Sequence, residues 1–291
     1  MKISLNPTES YFDNALDSEV FSNLVLSIQL SEKSLSYSIT DNLLNKFLAI
    51  VSYSFTEKYS SSEISRFISE LCLNEPLLKK NFIQIYICYQ NNNFIFIPDE
   101  LYSEEKIKDY LAFFEVDCQE MIVKTDYLQK FKFYNIYCVP EKIVNVFSEV
   151  FPKSKLFHDS TCFINSISHL YNVQSLKGEK LFISVDYYEM EIIAFKDGKF
   201  LLYNIFEYKT NDDFMYFIML VVKQLELVQQ KTEIILTGKI SDNSSLFQLI
   251  NKYFYKVNIT KSMETINVGE VFKDVPMHHY FKLLNINKCE L

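Results

Sequence analysis

The scarcity of glycine constrains this chain more than any other feature of its sequence. Only Gly178, Gly198, Gly238 and Gly269 occur in 291 residues, where average usage would give about twenty. Glycine adopts positive φ easily and lets a backbone approach a ligand closely. Phosphate cradles and dinucleotide-binding loops depend on such turns. The sequence therefore argues against a nucleotide-hydrolysing enzyme built on glycine-rich loops.

The length and composition allow a large core. With 48% hydrophobic residues in 291, the chain is long enough for one large or two modest domains. It holds 20 tyrosines and 26 phenylalanines but no tryptophan. Since aromatic side chains dominate core burial, this composition favours a Phe/Ile-rich core with tyrosines at its margin. The alternative is that some of these rings form an exposed docking surface or a dimer interface.

The charge balance argues against nucleic acid as a partner. The formal net charge is −8, and the basic pair Lys79-Lys80 is not extended into a longer run. Nucleic-acid affinity comes mainly from Lys and Arg side chains that neutralise phosphates. Anionic membrane surfaces are disfavoured for the same reason.

The cysteines and the apolar segments indicate a cytoplasmic location. The six cysteines include no C-x-x-C spacing, so a zinc knuckle or a thioredoxin-like motif is not expected. The N-terminus has no apolar signal core. The longest apolar run, Phe214–Val222, is far shorter than the ~20 residues that span a bilayer. We therefore expect a soluble cytoplasmic protein with reduced thiols.

The first half of the chain alternates strand-like and helical patterns. The stretch up to Ser18 is polar and is predicted to be a loose arm. Phe82–Tyr89 and Asn93–Ile97 are predicted to form a hairpin. One helix is predicted to begin at Ser103 and to run to about Phe114. Another is predicted to begin at Ser62, which would be its N-terminal cap. The other predicted elements are strands at Leu24–Leu30, Leu35–Ile39, Phe47–Phe55, Phe133–Val139 and Lys155–Phe157, and helices at 62–71, from Pro140, and at Ser160–Leu170.

The second half repeats the pattern of the first. Asp197-Gly198 lies between two of its runs and is a strong hairpin signal. A β-β-β-α-β-α order that occurs twice suggests an internal duplication and α/β layers. We expect an arm at 1–18, a first half at 19–172 with an inserted α/β subdomain at about 80–130, and a second half at 173–291. The predicted elements are strands at Leu181–Asp186, Glu189–Phe195, Phe200–Phe206, Glu233–Leu236 and Lys256–Ile259, and helices at Asp212–Gln229 and Ser244–Phe254.

Three short stretches carry a resemblance to a known superfamily: Leu26–Ser31, Val185–Tyr188 and Leu236–Lys239. Together with the duplicated order, they resemble the actin-like ATPase fold, which is built from two ribonuclease-H-like halves with mixed sheets flanked by helices. Within that fold, the chain is similar to the families of the type IV pilus assembly protein PilM and the cell-division protein FtsA. The resemblance covers the chain from about residue 20.

The resemblance implies a nucleotide site whose key residues have changed. The first hairpin of those families reads Asp-x-Gly, and here Ser27 stands in the Asp position and Gln29 in the Gly position. Ser27 lacks the charge that helps to place Mg²⁺. Gln29 would put a side chain where a phosphate should lie. We therefore expect hydrolysis to be lost and no cofactor to be bound.

The second half keeps more of the family pattern. The second hairpin retains Asp186 but has Tyr188 in the place of its glycine. The adenosine-binding turn of the family resembles Thr237-Gly238-Lys239, which has lost one glycine of a pair. Residual binding of ATP with Mg²⁺ through this turn is the alternative.

The resemblance also implies a protein partner. Ile97-Pro98 with Glu104-Glu105 follows the order of the PilM family, whose members hold a short peptide in a groove on the first half. The strip that contains Phe94 and Phe96 is the equivalent surface here, and an added strand there is physically reasonable. The segments 274–278 and 289–291 are similar to the tail of an uncharacterised bacterial family with the actin-like fold.

Three polar groups have both a chemical and a structural interpretation. His158 and Cys162 have the spacing of a base and a nucleophile, or of a helix-capping loop and a core thiol. Adjacent residues point apart, so His278-His279 are expected to make polar contacts and not to share a metal. Asn211–Asp213 are expected to cap a helix, and the metal-ligand interpretation is the alternative.

These observations favour a non-catalytic protein of actin-like fold that binds another protein. A divergent ATPase or nucleotide sensor, supported by Asp186 and Gly238, is the second hypothesis. An obligate homodimer that uses the surplus aromatic residues is the third.

Overall fold

The fold is described from a computed structural model, which covers residues 3–18, 21–112, 120–260 and 267–289. Phe114 and the closing residues 290–291, which are named above, lie outside it. The strands that it contains are β1 Glu9–Phe12, β2 Leu24–Leu30, β3 Ser34–Asp41, β4 Lys46–Ser54, β5 Phe82–Tyr89, β6 Phe94–Pro98, β7 Met121–Leu128, β8 Phe133–Pro140, β9 Lys155–His158, β10 Glu179–Val185, β11 Glu189–Lys196, β12 Lys199–Glu207, β13 Glu233–Gly238, β14 Lys256–Ile259 and β15 Asn267–Val268. The α-helices are α1 Ala15–Ser18, α2 Ser61–Asn74, α3 Ile107–Leu111, α4 Glu141–Val150, α5 Asp159–Tyr171, α6 Asn211–Gln224, α7 Ser245–Tyr253 and α8 Phe281–Asn285.

The chain divides into two compact units. The first unit comprises Met1–Cys162, Thr265–Val275 and Leu283–Leu291. The second comprises Phe163–Glu264 and Pro276–Lys282. The division falls ten residues before the expected end of the first half, and two C-terminal segments return to the first unit. Such returns leave no local signal in the sequence, because only contacts over long distances define them.

The main sheet of the first unit has the order β1-β4-β3-β2-β5-β9 among the described residues, with β15 beside β4. Strands β2, β5 and β9 are parallel, whereas β2, β3 and β4 form an antiparallel meander. Six of the seven residues of β2 are buried, as expected for a strand covered on both faces. Helices α2 and α4 pack on each other and contribute Ile64, Phe67, Ile143 and Phe147 to its core.

A smaller sheet in the first unit has the order β6-β8-β7 and is antiparallel throughout. It occupies 94–140, so the insertion lies later than the expected 80–130. The predicted hairpin of Phe82–Tyr89 with Asn93–Ile97 is wrong, because β5 pairs with β2 and β9 while β6 pairs with β8. Strand β7 was not predicted, since its polar residues interrupt the apolar alternation.

The second unit repeats the topology of the first sheet. Its described strands have the order β12-β11-β10-β13-β14, with an antiparallel β10-β11-β12 meander and parallel β10, β13 and β14. The β-β-β-α-β-α unit therefore occurs twice, as the sequence predicted. Helices α6 and α7 supply Phe214, Ile218, Val221 and Ile250 to the core of this unit.

Helix boundaries follow the local capping chemistry. Helix α2 is capped by Ser60 in a capping box with Glu63, and not by Ser62. Helix α6 has a capping box between Thr210 and Asp213, so the acidic residues at its start serve the helix. This helix ends at Gln224, five residues earlier than predicted, and Glu226 follows with a φ of 51°.

The N-terminal arm differs from the expectation. Residues Glu9–Phe12 pair with β4 as strand β1, so this stretch is an ordered edge of the sheet and not a loose arm. The predicted helix after Ser103 is a 3₁₀ turn at Glu104–Lys106 followed by the short α3. Within the described ranges, no helix is long and apolar enough to cross a lipid bilayer.

Candidate functional site

The carboxyl ends of parallel strands meet at one edge of each sheet, which is where ligands bind in open α/β sheets. In the first unit this edge holds the ends of β2, β5 and β9. The side-chain amide of Gln29 donates a hydrogen bond of 2.9 Å to Asp159 Oδ1. The Cys88 thiol lies 3.1 Å from the same oxygen. Ser27 is buried, between Ser38 of β3 and Tyr86 of β5.

Asp159 was not predicted as a site residue. It is fully buried at the first position of α5, directly after β9. No local sequence pattern connects Asp159 with Gln29, because the two residues lie 130 positions apart in the chain. The structure makes it the partner of Gln29, one of the predicted site residues.

A buried polar network continues from this edge toward the smaller sheet. Asp126 of β7 accepts hydrogen bonds from the His158 backbone N–H at 2.9 Å and from the Tyr137 hydroxyl at 3.1 Å. Burial raises the pKa of Asp126 to about 7, against the opposing effect of these hydrogen bonds. Asn135 donates to the hydroxyls of Ser160 and Thr161, both at 2.9 Å. These side chains tie β7, β8 and the start of α5 together.

The geometry does not favour the interpretation of His158 and Cys162 as base and nucleophile. His158 Nδ1 lies 2.7 Å from the Ser160 hydroxyl, and Nε2 lies 3.2 Å from the Asn91 carbonyl oxygen. Burial raises the pKa of the Cys162 thiol well above its usual value. Both side chains are fully buried, so a reactive thiolate and an entering substrate are disfavoured.

In the second unit, Asp186 follows β10 and Gly238 ends the neighbouring parallel strand β13. Asp186 Oδ1 accepts from the Tyr187 backbone N–H at 2.8 Å and lies 3.8 Å from Lys239 Nζ. The Lys239 ammonium also lies 4.3 Å from the centroid of the Tyr187 ring. Tyr187 and Tyr188 are both about two-thirds exposed, at 69% and 67%. The predicted residues of this half are therefore neighbours, with bulky side chains around the retained carboxylate.

The Thr237-Gly238 turn makes contacts within its own unit. The Thr237 hydroxyl donates to the His278 carbonyl oxygen at 2.8 Å, and His278 Nε2 lies 2.6 Å from the Ile240 carbonyl oxygen. Gly238 has a φ of 80°, and a Cβ there would lie 2.2 Å from the Val185 carbonyl oxygen. Close packing of two strands thus explains this glycine.

Phe94 and Phe96, the predicted partner-binding residues, lie on β6 at one side of the smaller sheet. Both side chains are partly exposed. The Phe94 ring centroid is 4.8 Å from that of His158, and the Phe96 centroid is 4.9 Å from that of Phe133. Among the described strands, β6 pairs only with β8. The part of the chain that the structure describes has no group of three or more His, Cys, Asp or Glu residues placed to hold a metal.

Two units of one repeated topology, with the smaller sheet inserted in the first, define a two-domain protein of the actin-like ATPase fold. A structure from Bacteroides thetaiotaomicron VPI-5482, of a protein with this fold and of unknown function, is similar at a TM-score of 0.73 and 24% identity. The similarity covers 85% of this chain and 93% of that one.

The PilM-PilN type IV pilus biogenesis complex also contains a similar chain, with a TM-score of 0.59 and 10% identity over 92% of this chain and 99% of that one. The family model described as "Protein of unknown function (DUF3822)" matches residues 13–257, and the chain belongs to that family. A comparison with curated protein sequences gives no significant match.

Proposed function

We propose that this protein of actin-like fold does not hydrolyse nucleotides and acts by binding another protein. The hydrogen bond between Gln29 and Asp159 carries the proposal. In the ATPases that the chain resembles, a glycine in the place of Gln29 leaves the backbone open to phosphate. Here a side chain fills that position and bonds to a buried carboxyl group. A phosphate would have to displace it.

The second unit supports the same conclusion. Lys239 stands where the family has a glycine and lies beside Asp186, the retained carboxylate. An ammonium at that distance competes with a metal ion for the carboxylate. The Thr237 hydroxyl is already used by the His278 carbonyl oxygen. Both retained residues, Asp186 and Thr237, therefore already have polar partners within the second unit.

Support for a protein partner comes from the smaller sheet. Strand β6 lies at one side of it, and an extended peptide can add to such a strand through main-chain hydrogen bonds. A chain of the same fold occurs in a complex of PilM with PilN. We propose that a protein or peptide binds along Phe94–Pro98, with Phe94 and Phe96 in contact with it.

Thermal denaturation with ATP and Mg²⁺ tests the first part of the proposal, because a protein that hydrolyses ATP must first bind it. A ligand at about 100 times its Kd stabilises a folded protein by about 2.7 kcal/mol. We expect equal melting temperatures with and without millimolar ATP and Mg²⁺. A clear rise would instead favour the alternative, a divergent ATP-binding protein or nucleotide sensor.

Site-specific cross-linking in cells of the source organism tests the second part. A photoreactive benzoylphenylalanine in place of Phe96 keeps an aromatic ring in the sheet. The matched control places the same residue at Tyr255, which is 84% exposed in the second unit. We expect one defined protein to be cross-linked at position 96 and not at position 255. No cross-link at position 96 would count against this surface, and capture of a second copy of this chain would favour the homodimer.

A further inference from the structure

A cavity of about 500 Å³ lies in the first unit, at the opposite end of β5 from the site described above. It is open to solvent and is lined by the ends of α2 and α4, the 3₁₀ helix Pro76–Lys79 and the start of β5. Leu78 and Phe151 are buried in its wall, and Phe82 and Ile85 are partly buried beside them. Its size is in the range of small-molecule sites, which are mostly apolar with a few placed polar groups.

The charged residues of this cavity all have the same sign. Among the described residues, Lys79, Lys80 and Lys153 line it and no carboxylate does. None of the three ammonium groups forms an ion pair with a carboxylate in the described ranges. The whole chain has a net charge of −8, so a cluster of three unneutralised lysines is a local exception. Clefts lined by one sign of charge concentrate ligands of the opposite sign.

We propose that this cavity binds a small amphipathic anion, an acyl chain that ends in a carboxylate. The chain would lie against Leu78, Phe82 and Phe151, which removes apolar surface from water. The carboxylate would lie with the lysine ammonium groups, which form charge-assisted hydrogen bonds with anions. This binding activity is separate from the protein-binding function proposed above, since it uses neither β6 nor the Gln29 edge.

Isothermal titration calorimetry with dodecanoate, below its micelle concentration, tests the proposal on the full chain. The test variant combines Lys79→Met, Lys80→Met and Lys153→Met, which keep most of the length of each side chain and remove its charge. The matched control combines Lys199→Met, Lys223→Met and Lys256→Met, three exposed lysines of the second unit. We expect one dodecanoate per chain in the wild type and the control, and at least about a tenfold loss of affinity in the test variant.

Two further binding measurements test whether the negative charge of the ligand is recognised. Dodecylamine, which carries the opposite charge, should not bind. Leu73→Glu adds a negative charge at a rim position that is 70% exposed, so the fold should tolerate it and dodecanoate affinity should fall. Equal affinity in the test and control variants, equal binding of dodecylamine, or no binding to the wild type would each overturn the proposal. Tighter binding of dodecyl phosphate than of dodecanoate would also overturn it, in favour of a phosphate site.

Discussion

Gln29 and Asp159 are joined by a hydrogen bond of 2.9 Å between the side-chain amide and the carboxyl group. Gln29 lies near the end of β2, and Asp159 begins α5 directly after β9. The bond therefore links two elements at the carboxyl edge of the parallel strands. Because Asp159 is fully buried, loss of a hydrogen-bond partner of its carboxyl group would lower the free energy of unfolding.

Gln29→Leu should destabilise the protein. The substitution keeps the size of the side chain but removes one hydrogen-bond donor from the buried carboxyl group of Asp159. Loss of such a partner costs about 1–3 kcal/mol. Urea denaturation should show a lower midpoint than in the wild type. The matched control is Gln248→Leu, on an exposed position of α7, and equal midpoints for the two variants would contradict the prediction.

The sequence predicted the elements whose patterns are local. The two meanders and the duplicated order were recognisable, because each strand is a continuous apolar run next to its partner in the chain. The hairpin at Phe82–Ile97 was wrong, because two adjacent apolar runs do not reveal that they join different sheets.

The candidate site was less predictable than the fold. Resemblance pointed to Gln29 and to Asp186, but not to what each contacts. Asp159 was missed because its partner lies 130 residues away. Asp126 was missed together with β7, because Lys124, Thr125 and Asp126 look like solvent-exposed polar residues in the sequence. Only the pairing of β7 with β8 brings the Asp126 carboxyl group within hydrogen-bond distance of the Tyr137 hydroxyl.

Gly238→Ala should be among the most destabilising single substitutions in the second unit. A Cβ at this position would lie 2.2 Å from the Val185 carbonyl oxygen, and φ is 80°. Backbone of the strand would have to shift, so we expect a loss of more than about 3 kcal/mol. Gly178→Ala is the matched control, with a φ of 75° and nothing within 4 Å of its Cβ.

The control should lose only the cost of a left-handed alanine, about 1–2 kcal/mol. Urea midpoints of the two alanine variants measure this difference. Similar midpoints would mean that the two strands separate easily at Val185 and that close packing does not explain Gly238.

Lys282→Met should destabilise the protein, because it removes the ammonium group that pairs with the buried carboxylate of Glu191. Lys282 pairs with Glu191, which is 3% exposed and also accepts a hydrogen bond of 2.7 Å from the Tyr203 hydroxyl. Removal of one member of a buried ion pair typically costs about 3–5 kcal/mol. The exposed pair of Lys273 with Glu270 is the matched control.

Lys273→Met should change the free energy of unfolding by less than about 1 kcal/mol, because surface ion pairs contribute little. Chemical denaturation of both variants gives the comparison. A similar small effect of Lys282→Met would show that Glu191 is sufficiently stabilised by its other contacts.

Asp126 makes the stability of the first unit depend on pH. Burial raises its pKa in the folded state to about 7, from 3.8 in an unfolded chain. Between these values the folded state holds more protons at this carboxyl group than the unfolded state. The contribution of Asp126 to the free energy of unfolding is therefore greatest below about pH 4 and is lost as the pH rises to about 7. Nearby Lys124 acts in the opposite direction, because its charge favours the ionised form.

Asp126→Asn removes this proton. The one side-chain oxygen of asparagine can accept from the His158 backbone N–H, as Asp126 Oδ2 does, and its NH2 group can donate to the Tyr137 hydroxyl oxygen in place of the bond to Oδ1. Melting temperatures measured from pH 4.5 to pH 8 should fall more steeply for the wild type than for this variant. The melting temperature of the variant, relative to that of the wild type, should therefore increase as the pH rises. Asp109→Asn, at an exposed position of α3, should follow the wild-type curve. Parallel curves for the wild type and Asp126→Asn would mean that this carboxyl group is already ionised at low pH. The buried network around it would then hold a charge and not a proton.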